Sequence, residues 1–327
     1  MFPAVARARR RFYTNHPDRQ RRLARPVISI GNLAVGGRAK TPIVAAVAAR
    51  LRDAGERPAI LSRGYGRRIA ADGVVVVRDA DGIRSDIDRA GDEPLMLARQ
   101  LEGVSVLACS SRYLAGRLAE QHLNSTVHIL DDGFQHLTLH RDLDIVIVAA
   151  DDLERPRTIP FGRLREPVDA LFAADALIAL DDAPADALDR GMPIWRAGRR
   201  LDRARLIEPF GAPVEFDFGS AVAVAGIANP ARFFADLRSS AWPIARQLPY
   251  ADHHRYSRKD VEEIFRALRA SGARLVITTE KDLVRLLPFR PFPAPVAWVP
   301  LTVSIEPRPE FDRWLMSALA EARGATA

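Results

Sequence analysis

The chain has 327 residues, 48% of them hydrophobic, with 20 glycines, 23 prolines and a single cysteine. That length predicts two α/β units sharing one cleft; the composition excludes collagen-like repetition and wholesale disorder, and a lone Cys109 excludes an internal disulfide. The formal net charge of +7 is concentrated: residues 1–25 carry eight arginines against one acid, Asp18, so the remainder is electrically balanced.

This basic arm is interleaved with Phe2, Val5, Phe12 and Tyr13. Such a segment suits an anionic lipid surface as well as a nucleic acid, and a solvated tail is the plainer alternative. No run approaches the ~18 apolar residues of a transmembrane helix, and no signal-peptide pattern opens the chain. The expectation is a protein of a reducing cytoplasm whose membrane contact is peripheral.

From Pro26 the pattern reads strand (27–30), glycine-rich loop (31–40), then helix (41–52) closed by Gly55. Apolar runs at 59–61, 74–77, 104–108, 127–130 and 145–148 read as buried strands, with helices at 93–101 and 112–123 between them. This alternation predicts a mostly parallel sheet flanked by helices. Periodicity weakens over 197–217, read as an inter-domain connection. A second α/β unit follows, with strands at 221–225, 275–278 and 297–301, a helix opening at the Ser257-x-x-Asp260 capping box, and a closing helix at 310–323. The predicted organisation is a basic arm at 1–25, a first domain at 26–205 and a smaller α/β domain at 206–327, with the final helix free to return to the first domain.

Nearly all basic residues are arginine; lysine occurs only at Lys40, Lys259 and Lys281. A compact ammonium is not readily replaced by a planar guanidinium at a phosphate, so Lys40 and Lys281, each following an apolar run, stand out; Lys259 reads as surface. Lys40 closes the loop Gly31-Asn-Leu-Ala-Val-Gly-Gly-Arg-Ala-Lys-Thr-Pro42. A loop there, between a buried strand and a helix N-terminus, can cradle ATP phosphates with the backbone of Ala34, Val35, Gly36, Gly37, Arg38 and Ala39, while Lys40 reaches the β/γ oxygens and Thr41 ligates Mg2+. The strict P-loop pattern has glycine where Ala34 and Ala39 stand, which leaves an ordinary strand-to-helix turn as the alternative. Asp131 and Asp132 end an apolar strand, and such a pair can complete the metal shell begun by Thr41; a simple turn is the bland reading.

Together with these blocks, Leu61-Ser-Arg-Gly-Tyr-Gly-Arg67, Gly91-Asp-Glu-Pro94, Phe161-Gly-Arg-Leu-Arg-Glu-Pro167, Asp252-His253 and Thr279-Glu-Lys-Asp282 make the chain resemble the tetraacyldisaccharide 4'-kinases, the lipid A 4'-kinase family. The resemblance spans residues 31–282 and is specific through its joint motifs. It implies a P-loop-type α/β fold, ATP and Mg2+ as cofactors, and transfer of the γ-phosphate to the 4'-hydroxyl of a lipid disaccharide 1-phosphate. It implies Asp92 as catalytic base assisted by His253, with Asn229-Pro230 and residues 279–282 closing over nucleotide. A carboxylate paired with imidazole suits removal of a hydroxyl proton; the local alternative for Asp92 is a helix N-cap. Arg63, Gly64, Tyr65 and Arg67 are expected at the anionic substrate, and Arg165 and Glu166 near the γ-phosphate or metal.

The family's usual Gly-Gly-Thr-Gly-Lys-Thr reads Gly36-Gly37-Arg38-Ala39-Lys40-Thr41 here, and its usual apolar N-terminal anchor is replaced by the arginine arm. The expected place is the cytoplasmic face of a bacterial inner membrane, with a lipid disaccharide and the anionic membrane surface as partners, no nucleic acid and no obligate protein partner. Two other functions fit the residues. One is a kinase of a soluble sugar or nucleoside; the other is a degenerate lipid-binding scaffold, favoured by the two alanines. Asp252-His253-His254 lacks further ligands at zinc spacing.

Overall fold

A computed structural model describes residues 2–36, 39–69, 72–180, 183–184, 191–214 and 219–324. In chain order its elements are α1 (Phe2–Asn15), β1 (Val27–Asn32), α2 (Lys40–Asp53), β2 (Pro58–Ser62), β3 (Val75–Asp79), β4 (Gly82–Ile83), α3 (Ile87–Ala90), α4 (Asp92–Gln100), β5 (Ser105–Ala108), α5 (Arg112–His122), β6 (Val127–Asp131), β7 (Leu143–Val148), α6 (Ala150–Glu154), β8 (Ala176–Leu180), β9 (Ile194–Leu201), β10 (Arg205–Leu206), β11 (Ala221–Ala225), α7 (Pro230–Ser239), β12 (Ile244–Pro249), α8 (Arg258–Ala270), β13 (Leu275–Thr279), α9 (Glu280–Leu286), β14 (Val296–Val299), β15 (Leu301–Glu306) and α10 (Arg308–Gly324). They divide into two compact units, residues 1–198 with 303–327, and residues 199–302.

A ten-stranded sheet of order β15-β9-β8-β7-β1-β6-β2-β5-β3-β4 runs through the first unit. From β9 to β5 every described pairing is parallel. Strands β1, β2, β6, β7 and β8 are buried along their whole length, as expected for parallel strands covered on both faces, and their near-continuous Val/Ile/Leu runs supply the apolar surface. The run at 74–77 departs from the parallel expectation: β3 pairs antiparallel with β5 and β4, and its partly exposed residues mark the sheet margin. Helix α2 seats Ile43, Val44, Val47, Ala48 and Leu51 in the core, a stripe at helical spacing.

The second unit carries a five-stranded sheet, β10-β14-β13-β11-β12, parallel except for β10 against β14. Alternation along β11 sorts its two faces. Val222 and Val224 meet Ile264, Phe265 and Leu268 of α8, while Ala221, Ala223 and Ala225 meet Phe233, Phe234 and Leu237 of α7. Helix α8 opens on the expected capping box, with Ser257 Oγ accepting from Asp260 N–H at 3.2 Å and Ser257 N–H donating to Asp260 Oδ2 at 2.7 Å.

The stretch at 197–217 is more ordered than its composition suggests. Strand β9 runs to Leu201 and β10 pairs with β14, while residues 215–217 lie outside the described part. The expected strand at 297–301 is split at Pro300: β14 joins the five-stranded sheet and β15 the ten-stranded one. A proline cannot donate to a ladder, which makes it a natural place for the chain to change sheets. Helix α10 belongs to the first unit, with Phe311, Leu315 and Leu319 buried.

Candidate active site

Because β1, β6, β2 and β5 are parallel neighbours, their carboxyl ends open on one edge, where ligands of open α/β sheets bind. Asn32 ends β1, Asp131 ends β6, the 63–67 loop follows β2, and Ser110 follows β5. Helices α2, α4 and α5 begin just beyond. Their N–H groups and dipole ends favour negative charge there.

Lys40 opens α2 and reaches back over this edge. Its Nζ lies 3.2 Å from Asn32 Oδ1, 3.4 Å from Gly36 O and 3.8 Å from Asp132 Oδ1. Arg165 grips Asp132 with two parallel hydrogen bonds of 2.9 and 2.7 Å and donates to Asn32 Oδ1 at 2.7 Å. Asn32 is fully buried, and among the described residues its Nδ2 and the Arg165 Nε have no hydrogen-bond partner. The 163–165 segment is stitched to the phosphate loop: Val35 N–H donates to Arg163 O, Arg165 N–H donates to Leu33 O, and Ala34 bridges Leu164. Thr41 sits buried in the first turn of α2. Gly37 and Arg38 lie outside the described residues.

Three backbone features hold this geometry. Ala39, the residue before α2, adopts φ 52°, ψ 25°, a left-handed conformation that costs a non-glycine residue roughly 1–2 kcal/mol. Asp132 is likewise left-handed at φ 57°. Gly31 allows the next turn to pack onto β1, since a methyl there would stand 2.6 Å from Phe134 Cβ.

Asp131 is buried, and burial followed by the charges of Glu93 and Asp132 pushes its carboxyl up to about 7. Asp132 is held below the usual range: burial opposes this, but the Arg165 hydrogen bonds and Lys40 outweigh it. Adjacent Asp131 and Asp132, the first buried and the second partly exposed, offer carboxylate oxygens of the kind a divalent cation takes. Two carboxylates and the Thr41 hydroxyl suit a hard cation that keeps waters and phosphate oxygens in its shell, as Mg2+ does; among the described residues no three His, Cys, Asp or Glu side chains gather as a metal cluster.

Asp92 is the first residue of α4, not its cap; Gly91 takes that place, and Asp92 Oδ1 accepts from Glu93 N–H at 2.9 Å. Gly91 has φ 88°, and a methyl there would stand 2.4 Å from Tyr65 O. The 63–67 loop is thereby pressed onto the start of α4. It lines an open groove of about 450 Å³ with Arg63, Gly64, Tyr65, Gly66, Arg67 and Ser110.

Glu166, expected near phosphate or metal, is ion-paired to the N-terminal helix. Both of its oxygens accept from Arg10 of α1, at 2.8 Å each, so its charge is matched within the protein. Three site residues escape the sequence reading, the first being Asn32, which accepts from both Lys40 and Arg165. Glu93 bears on the Asp131 charge, and Arg112 is buried with an Nε that has no partner among the described residues, its charge felt by both Asp131 and Asp132. Arg112 had a signal: it starts a helix after the Ser111 cap, where the dipole disfavours a cation unless an anion is near.

In the second unit His253 also has a positive φ, 57°. Its Nε2 lies 3.1 Å from Lys281 Nζ and its Nδ1 3.5 Å from Arg285 Nη2. The 279–282 block builds this corner. Asp282 is fully buried and accepts from Gly226 N–H, Tyr256 OH, Thr279 Oγ1 and Arg285 Nη1. Asn229 caps α7, its Oδ1 accepting from Arg232 N–H, and Pro230 takes the first helical position.

Residues 1–320 match the family model described as tetraacyldisaccharide-1-P 4'-kinase. The tetraacyldisaccharide 4'-kinase of Geobacter metallireducens is 42% identical over 276 residues, covering 83% of this chain and 81% of that protein. That of Geobacter sulfurreducens is 41% identical over 303 residues, covering 88% and 82%. A crystal structure of LpxK from Aquifex aeolicus in complex with ATP superposes with a TM-score of 0.81 at 31% identity, covering 97% of this chain and 96% of that one. With the family model matched over nearly its whole length and relatives this similar, the chain belongs to the tetraacyldisaccharide-1-P 4'-kinase family.

Proposed function

We propose that this kinase transfers the γ-phosphate of ATP to the 4'-hydroxyl of a tetraacyldisaccharide 1-phosphate. The observation that carries the reading is the linked cluster of Lys40, Asn32, Asp132 and Arg165 before a helix N-terminus, on the same sheet edge as Asp92 and the arginine-lined groove. Lys40 and the N–H groups opening α2 bind the phosphate chain, and Arg165 and Arg112 offset charge on the group in flight. Arg63, Gly64, Tyr65 and Arg67 receive the anionic sugar. Asp92 takes the hydroxyl proton as the new O–P bond forms and the bond to the ADP oxygen breaks. His253, by family resemblance, relays that proton. Thr41, Asp131 and Asp132 would hold Mg2+, which supplies charge neutralisation at the phosphate oxygens.

The acceptor is a lipid, and α1 supports delivery from an anionic surface at the cytoplasmic face of the inner membrane. Val5 and Phe12, seven residues apart on one helix face, are 60% and 47% exposed, and Phe172, 67% exposed, follows Asp169, which is ion-paired to Arg7 at 2.8 Å. No described helix is long and apolar enough to cross a membrane.

The test is transfer of labelled γ-phosphate from ATP to a tetraacyldisaccharide 1-phosphate in detergent micelles. Asp92→Asn is expected to lower kcat by ~10²–10⁴-fold with the KM for ATP little changed. Transfer unaffected by that change, or no transfer by the natural chain, would overturn the assignment.

A further inference from the structure

The arm expected to face lipid sends one arginine inward. Arg10 has a side chain only 12% exposed, and Glu166, its partner, is 7% exposed. Arg10 Nε donates to Glu166 Oε2 and Nη2 to Oε1, both at 2.8 Å. The same Nη2 donates to Phe134 O at 3.2 Å, and the guanidinium carbon lies 4.1 Å from the centre of the Phe134 ring. One side chain therefore joins two loops: 163–167, which carries Arg165, and 131–136, which carries the two aspartates.

Those loops are already joined once, by the Arg165–Asp132 pair in the site. Phe134 lies two residues beyond Asp132, and Glu166 directly follows Arg165. Arg10 is thus a second clamp, placed one or two residues away from the first on both strands of the junction. Neighbouring contacts strengthen it: Arg9 Nη1 donates to Gln135 O at 3.1 Å, and Gln135 Nε2 in turn donates to Asn32 O at 3.0 Å.

We propose that Arg10 is a positioning residue for phosphoryl transfer, holding the Arg165 loop and the Asp131–Asp132 loop in register from behind the site. The N-terminal helix is then part of the catalytic architecture and not only a lipid anchor. The inference rests on the kinase reading and on the role given there to Arg165.

Lysine at position 10 would still neutralise Glu166 but cannot supply the fork to the carboxylate, the bond to Phe134 O and the flat stack together. Arg10→Lys is therefore expected to keep a melting temperature near that of the natural chain while kcat, at saturating ATP and lipid, falls by roughly 10- to 100-fold. Arg10→Ala should fall at least as far in kcat, assayed well below its melting point. Natural kcat in Arg10→Lys would show that Arg10 serves only to neutralise a buried charge, and would overturn the proposal. A rise in the KM for lipid alone, at unchanged kcat, would make Arg10 a lipid contact and overturn it equally. Arg165→Ala, run alongside, separates the two readings: if it keeps full activity, the site assignment fails; if it is impaired and Arg10→Lys is not, the clamp alone fails.

Discussion

Ala39 shows how one methyl bears on the phosphate loop. Its left-handed φ of 52° is strained for alanine, whereas glycine adopts it freely but gives up more chain entropy on folding. The two effects partly cancel. Ala39→Gly is expected to change stability by no more than about 1 kcal/mol while tightening ATP modestly, because the methyl no longer limits phosphate approach; calorimetric titration with ATP checks this. Weaker binding by the glycine variant would show that the methyl preorganises the loop. Asp131 illustrates a different conflict. Its folded carboxyl titrates at about 7 against an ordinary 3.8, so its contribution to stability is full below that ordinary value and drains away as pH rises towards 7. Without metal, Asp131→Asn should match the natural protein near pH 4 and exceed it in melting temperature at pH 8. Magnesium should then raise the melting temperature of the natural chain at pH 8 and not that of the variant. A variant that melts lower at pH 8 would mean that the carboxylate caps a turn.

At the scale of elements, the second unit depends on a buried polar knot between β13 and α9. Asp282 accepts four hydrogen bonds with none of its surface exposed, and Arg285, nearly as buried, is its charge partner at 2.9 Å. Removing one member leaves the other charge unmatched, which typically costs 3–5 kcal/mol. Asp282→Ala is expected to lose roughly 3 kcal/mol or more in urea denaturation. A loss below about 1 kcal/mol would show that the knot relaxes around water. Because Arg285 also approaches His253, the same change should disturb the imidazole's surroundings, visible as a shifted His253 ring resonance.

For the molecule as a whole, the charge of the first 25 residues is not all available to a membrane. Arg7 and Arg10 are ion-paired to Asp169 and Glu166, so in the proposed membrane reading lipid attraction rests on the remaining basic residues and on the apolar pair Val5 and Phe12. Each basic residue near an anionic surface contributes about 1 kcal/mol and is screened by salt; the apolar part is not screened. Co-sedimentation with anionic vesicles should fall as salt rises yet leave a residue of binding, and Val5→Asp with Phe12→Asp should remove that residue. Salt-independent binding, or binding indifferent to the double change, would place the lipid surface elsewhere.

Much of this protein was legible in the amino-acid order. Whole-length apolar runs identified β1, β2, β6, β7, β11 and β13, because a parallel strand buried on both faces needs no alternation and tolerates few polar residues. The lone lysine after a glycine loop, the acid pair ending a strand and the Ser257–Asp260 box are local patterns with local causes. Only the tertiary structure decided the rest. That β3 runs antiparallel, that Pro300 parts two sheets, and that Arg112 lies buried beside Asp131 all depend on neighbours distant in sequence. The arginines are the clearest case. In a chain where nearly every cation is arginine, residue type cannot separate the few that grip a carboxylate from the many that meet water. Arg10 and Glu166 stand 156 residues apart, and no periodicity links them; the choice between a solvated arm and a clamp was made by the packing that brought one fork within reach of one buried carboxylate.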